Sequence, residues 1–167
     1  MLLLLQVFVF NHIHILGYAT PMPYVYILVL LPSDTQRWVY IALGFAMGFM
    51  VDLFTNTPGM AGASMCATGL LAPLFLKLLS PAAREDEAFV PSARTMEWNG
   101  FFLYCLCLAL INTFIYFCIE AFSFFNWLVM LISIASTTAI TLLFMTAIEA
   151  IRFSNMRKAG NTSKAGK

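Results

Sequence analysis

Few residues in this chain have side chains that do chemistry, and most of them lie inside apolar runs. Asp52 closes the stretch Gly44-Phe45-Ala46-Met47-Gly48-Phe49-Met50-Val51-Asp52-Leu53. An ionised acid in hydrocarbon costs about 3 kcal/mol or more, so it needs a partner or a task. The other acids close to apolar segments are Glu120 and Glu149, and an acid-base pair would require Asp52 and Glu120 to meet across helices. His12 and His14, as Asn11-His12-Ile13-His14, are two imidazoles without a neighbouring carboxylate or thiol, short of a metal site. Cys66, Cys105, Cys107 and Cys118 lie in apolar runs with no Cys-x-x-Cys pair, and they read as small core hydrophobes. The chain contains no phosphate-cradling glycine loop, His-Glu-x-x-His or Gly-x-Ser-x-Gly motif. These residues imply no enzyme, no cofactor, no metal and no nucleic acid.

The elements that must position Asp52 follow from composition. The 167 residues are 61% hydrophobic and 10% charged, with a mean hydropathy of +0.85, which leaves too little polar surface to coat a soluble globule. The expected fold is therefore all-α, a polytopic membrane bundle in one domain over 1–152. Turn residues divide it into about six spans, near 1–16, 21–32, 37–54, 60–79, 100–119 and 125–152. Residues 80–99, with two prolines and six charges, read as an aqueous loop, and 153–167 as a disordered basic tail. Trp38, Tyr40, Trp98 and Trp127 lie close to span ends, where amphipathic rings settle at headgroup depth.

This division puts all nine basic residues on one side. Arg37 precedes span three, Lys77, Arg84 and Arg94 flank the 80–99 loop, and Arg152, Arg157, Lys158, Lys164 and Lys167 follow span six. The connections 11–20, 55–59 and 120–124 contain no Lys or Arg. The positive-inside bias then places both termini in the cytoplasm. Spans one and two fall short of the roughly 20 residues a crossing helix needs. Either a longer native chain begins upstream of Met1, or the two pack as short helices against longer neighbours.

Gly44, Gly48 and Asp52, four apart, share one helical stripe, and the glycines let another backbone approach closely. Asn56-Thr57-Pro58-Gly59 forms a tight turn into span four, where Gly59, Ala63 and Ala67, with Gly62, Ser64 and Gly69 nearby, offer a second small-residue face. Spans three and four should therefore form a hairpin. In it Asp52 either bonds the 55–59 turn or contacts a partner helix. Ser133, Thr137 and Thr141 follow the same spacing on span six and suit helix cohesion. At the Asp52 end, Glu120-Ala121-Phe122-Ser123-Phe124-Phe125-Asn126-Trp127 surrounds one acid with aromatics, a composition that suits either protein contact or an interfacial belt.

The pattern Gly-Phe-x-Met-Gly-x-x-x-Asp-Leu at 44–53 resembles that of the MreD family of bacterial rod shape-determining membrane proteins. Gln6, Asn11-His12-Ile13, Gly17-Tyr18, Pro21-x-Pro23-Tyr24, Asn56-Thr57-Pro58-Gly59 and Glu120 to Phe124 extend the likeness in order over most of 6–150. The start departs from it, since family members usually have a full first span. The resemblance implies a six-helix inner-membrane subunit, related in fold to the substrate-binding subunits of energy-coupling vitamin transporters. It implies no catalysis. The partners it implies are a bitopic MreC-like protein, an actin-like MreB cytoskeleton, RodA and penicillin-binding protein 2 type synthases, and membrane lipid. Gly44, Gly48, Asp52, Pro58 and Gly59 carry the family pattern, and Asn56, Glu120, Phe122 and Phe124 complete the candidate packing and contact residues. A substrate-binding subunit of a small-molecule transporter, with Asp52 holding ligand, is the alternative, and an intramembrane hydrolase has neither nucleophile nor base to support it.

Overall fold

The computed structural model describes residues 22–57, 59–80, 89–93, 95–120 and 127–165, and the described residues are helical with no strand. A 3-10 turn, Pro23–Val25, leads into a single α turn, α1 (Tyr26–Val29). The long helices are α2 (Arg37–Thr55), α3 (Met60–Leu79), α4 (Glu97–Glu120) and α5 (Trp127–Ala165). All four are long and apolar enough to cross a membrane. Successive helices pack side by side, α2 on α3, α3 on α4 and α4 on α5.

Six spans are not what the described residues contain. Residues 1–16, the first expected span, lie outside them. The second is the seven-residue pair of turns Pro23–Val25 and Tyr26–Val29, with an axial rise of about 12 Å against a hydrocarbon thickness of about 30 Å. It is a plug within the bundle. Met22, Tyr24, Val25, Tyr26, Leu28 and Val29 are all buried. Irregular backbone at membrane depth survives only where protein surrounds it, and here the chain supplies the partners. The Met22 amide donates to Thr141 Oγ1 at 3.1 Å, and Asn112 Nδ2 reaches Met22 Sδ at 3.4 Å.

Two further expectations differ from the structure. The 80–99 segment is not wholly aqueous, because Pro91, Ser92, Ala93 and Met96 are buried. Its polar groups are met locally: the Ser92 amide donates to Thr95 Oγ1 at 3.0 Å and the Met96 amide to the Ser92 carbonyl at 3.1 Å. Its apolar side chains thereby close the end of the bundle. The tail is helical through Ala165 rather than disordered. Extending a formed helix adds one hydrogen bond per residue without a new nucleation cost, which offsets the weak propensity of Gly160, Asn161 and Ser163.

Helix α3 runs through Pro73 without ending there. It packs against α2 through glycines so closely that a Cβ on Gly44 would lie 2.6 Å from the Met65 carbonyl oxygen, one on Gly48 2.4 Å from that of Ala61, and one on Gly69 2.5 Å from that of Tyr40. Backbone therefore touches backbone along the pair. The α3 side of this seam is Ala61, Gly62, Met65 and Gly69, whereas Ala63 of the expected Gly59-Ala63-Ala67 face is exposed. The 55–59 turn sets the rotation of α3, and that rotation decides which small residues face α2.

Candidate functional site: a buried carboxylate at each end of the bundle

Helix α3 begins in an unusual way. Its N-cap is Gly59, at φ 79° in the left-handed region that favours glycine, and glycine has no side chain to accept from the first free amides. Asp52, one turn before the end of α2, supplies the acceptor instead. Its Oδ1 takes the Ala61 amide at 3.0 Å and the Thr57 hydroxyl at 2.5 Å, and its Oδ2 takes the Gly62 amide at 2.7 Å. Its carbonyl also accepts from the amides of Asn56, the left-handed C-cap of α2 at φ 55°, and of Thr57 at 3.2 Å.

One residue thus ends α2 and starts α3. The positive end of the α3 dipole faces the carboxylate, and hydrogen bonds to a charged acceptor are worth about 1.5–3 kcal/mol each, enough together to offset burial of an acid only 4% exposed. Gly62 leaves room for the carboxylate, since a Cβ there would lie 3.2 Å from Oδ2. The bonds to the 55–59 turn expected from sequence are present, joined by amide bonds that α3 itself contributes.

Of the other sequence candidates, Gly44, Gly48, Asn56 and Gly59 converge on this hairpin. Pro58, Phe122 and Phe124 lie outside the described residues, as do His12 and His14. Glu120 is exposed at the last position of α4 and is not among the partners just given for Asp52. The four cysteines are free thiols.

A second site, at the opposite end, escaped the sequence reading. Glu149, 2% exposed on α5, accepts from the Tyr26 hydroxyl at 2.6 Å through Oε2 and from the Ala93 amide at 3.1 Å through Oε1. Arg152, one turn on, places Nη1 3.7 Å from Oε2. Alongside, the Ser33 amide donates to the Phe89 carbonyl at 2.9 Å and the Phe89 amide to Ser33 Oγ at 3.1 Å. The carboxylate therefore ties α5 to the plug and to the segment before α4. The sequence held one clue, an acid in an apolar helix with an arginine three residues later.

Between the two ends the interior is lined with small polar groups. Thr68, Asn112, Thr137 and Thr141 are fully buried, and Thr68 Oγ1 donates to the Ser64 carbonyl at 2.7 Å while facing Asn112 Oδ1 at 3.5 Å. Among the described residues no three of His, Cys, Asp and Glu stand close enough to hold a metal ion. The molecule belongs to the class of all-helical bundles with several helices long and apolar enough to cross a membrane. No family model, curated protein or solved structure matches the chain.

Proposed function

We propose that this chain is a non-catalytic inner-membrane subunit that holds cell-elongation proteins together, in the manner of the MreD family that its sequence resembles. On this reading both termini face the cytoplasm, which the even number of long apolar helices among the described residues allows. The observation that carries the proposal is the state of Asp52. The rival reading, a transporter's substrate-binding subunit, needs this carboxylate for ligand, but both of its oxygens are engaged by the chain's own donors. An acid used in this way fixes the shape of a hairpin. A hairpin fixed in this way, with Phe49 and Phe54 exposed on α2 toward its turn end, suits a protein that presents surfaces to others.

The positions of the described cations support the orientation. Arg37 at the start of α2, Lys77 near the end of α3 and Arg152 near the end of the apolar part of α5 share one end of the bundle, the cytoplasmic one under the positive-inside bias. The partners are a bitopic MreC-like protein, RodA and penicillin-binding protein 2 type synthases, and an MreB-like filament. The test is affinity purification from mild detergent of a C-terminally tagged chain at native expression, with mass spectrometry of what is recovered. Cell-wall synthases together with a bitopic protein are expected. Paired ATPases with a transmembrane coupling subunit would overturn the scaffold in favour of the transporter.

A further inference from the structure

The basic end carries a cleft that the scaffold role does not use. It has a volume of about 340 Å³ and is lined by the turn that precedes α2, with Asp34 and Arg37, and by Pro73 and Lys77 from the last two turns of α3. The two cations come from different helices. Both helices are long and apolar enough to cross a membrane, and both cations stand within a turn of a helix end, so the cleft opens at the depth of lipid headgroups. The volume is at the low end of the roughly 300–1,000 Å³ of small-ligand pockets, room for a headgroup but not for acyl chains as well.

The surface beside the cleft is suited to those chains. Leu70, Leu74 and Leu78, spaced by four on α3, are 51%, 48% and 63% exposed, and their stripe adjoins the Pro73 and Lys77 side of the helix. Trp38, 65% exposed beside Arg37, adds a ring at the same depth. Gln36 makes no side-chain cap bond, so the first amides of α2 add partial positive charge to the cleft.

We infer that the cleft seats the phosphodiester headgroup of an anionic phospholipid bearing free hydroxyls, of the phosphatidylglycerol type. Arg37 and Lys77 contact the phosphate, Asp34 accepts from a headgroup hydroxyl, and the acyl chains descend along the leucine stripe. The acid in a site with two cations favours a hydroxylated headgroup over a bare phosphate. This inference rests on the chain spanning a membrane and not on its partners.

The test is native mass spectrometry of the detergent-purified full chain titrated with phosphatidylglycerol, with phosphatidylcholine, or with phosphatidylglycerol plus excess inorganic phosphate. Phosphatidylglycerol should be retained in preference to phosphatidylcholine. A Lys or Arg near an anionic lipid surface contributes a factor of about five, so Lys77→Gln and Arg37→Gln should each lower retention about fivefold. Lys77→Arg should restore it, and Lys164→Gln, an equal charge loss beyond the apolar part of α5, should leave it unchanged. Far-UV circular dichroism checks that each variant keeps its helices, and the use of two helices leaves the test intact if one variant fails to fold. Wild-type retention by a folded Lys77→Gln or Arg37→Gln overturns the site. Equal loss in Lys164→Gln reduces it to general surface charge, and full displacement by inorganic phosphate shows a free-anion site in place of a lipid seat.

Discussion

Asp52 and Glu149 are both buried acids on long apolar helices, yet they hold different things. Asp52 is bonded by its near neighbours in sequence, with Ala61 and Gly62 nine and ten residues away. Glu149 is bonded across the fold, with Tyr26 and Ala93 separated from it by 123 and 56 residues. The first requires only that two adjacent helices meet. The second requires that segments from three distant parts of the chain come together. A local carboxylate shapes an element, whereas a remote one locks elements together.

The sharpest way to break the contrast is at the local end. Gly48→Val would drive a branched side chain into the Ala61 carbonyl and the Gly62 backbone, where even a Cβ meets atoms at 2.4 and 2.6 Å. The α2–α3 seam should then lose about 3 kcal/mol, read as a lower midpoint of thermal unfolding in detergent. Wild-type stability would mean that the helices can separate without cost.

Asp52→Ala comes next, since it leaves the Ala61 and Gly62 amides without their acceptor. A loss of about 2–3 kcal/mol is expected, against roughly half of that for Asp52→Asn, whose remaining carbonyl can still accept. Equal losses in the two variants would show that charge matters more than capping. Under the proposed function, complex recovery falls with hairpin stability in both.

At the other end, Glu149→Gln should cost about 1–2 kcal/mol and act at a distance. The Ala93 amide, far away in sequence, should exchange its hydrogen about tenfold faster, while the amides of Ala61 and Gly62 keep their wild-type rates. Tyr26→Phe, which removes a single donor to the same carboxylate, should cost about 1 kcal/mol. The smallest effect expected is the coupling between ends. In a double-mutant cycle, Asp52→Asn and Glu149→Gln should add within about 0.5 kcal/mol, and a larger interaction would show that hairpin and lock form one cooperative unit.

What could be read from the chain follows the same division. The hairpin of α2 and α3 was legible because the four-residue spacing of Gly44, Gly48 and Asp52 and the turn at 56–59 encode it within a short stretch. The segment at 21–32 leaves two readings open, a span or a short helix packed against longer neighbours, because its apolar composition records that it is buried without recording whether lipid or protein buries it. The structure shows the second. The buried part of the 89–96 segment was hidden by the charges and prolines of the loop around it, and Glu149 by partners that no local pattern connects.

By itself the sequence determined that the described residues are helical, that the long helices are apolar enough for a membrane, and that Arg37, Lys77 and Arg152 share one end. Those properties are sums over neighbouring residues, and helix periodicity and hydropathy express them directly. Tertiary structure alone decided that Gly62 rather than Ala63 meets α2, that residues 22–29 lie inside the bundle, and that Glu149 joins three distant segments. Each of these depends on the rotation and depth at which helices pack. Those are set by backbone contact at the glycines and by the hydrogen bonds that the buried carboxylates and the plug's backbone make.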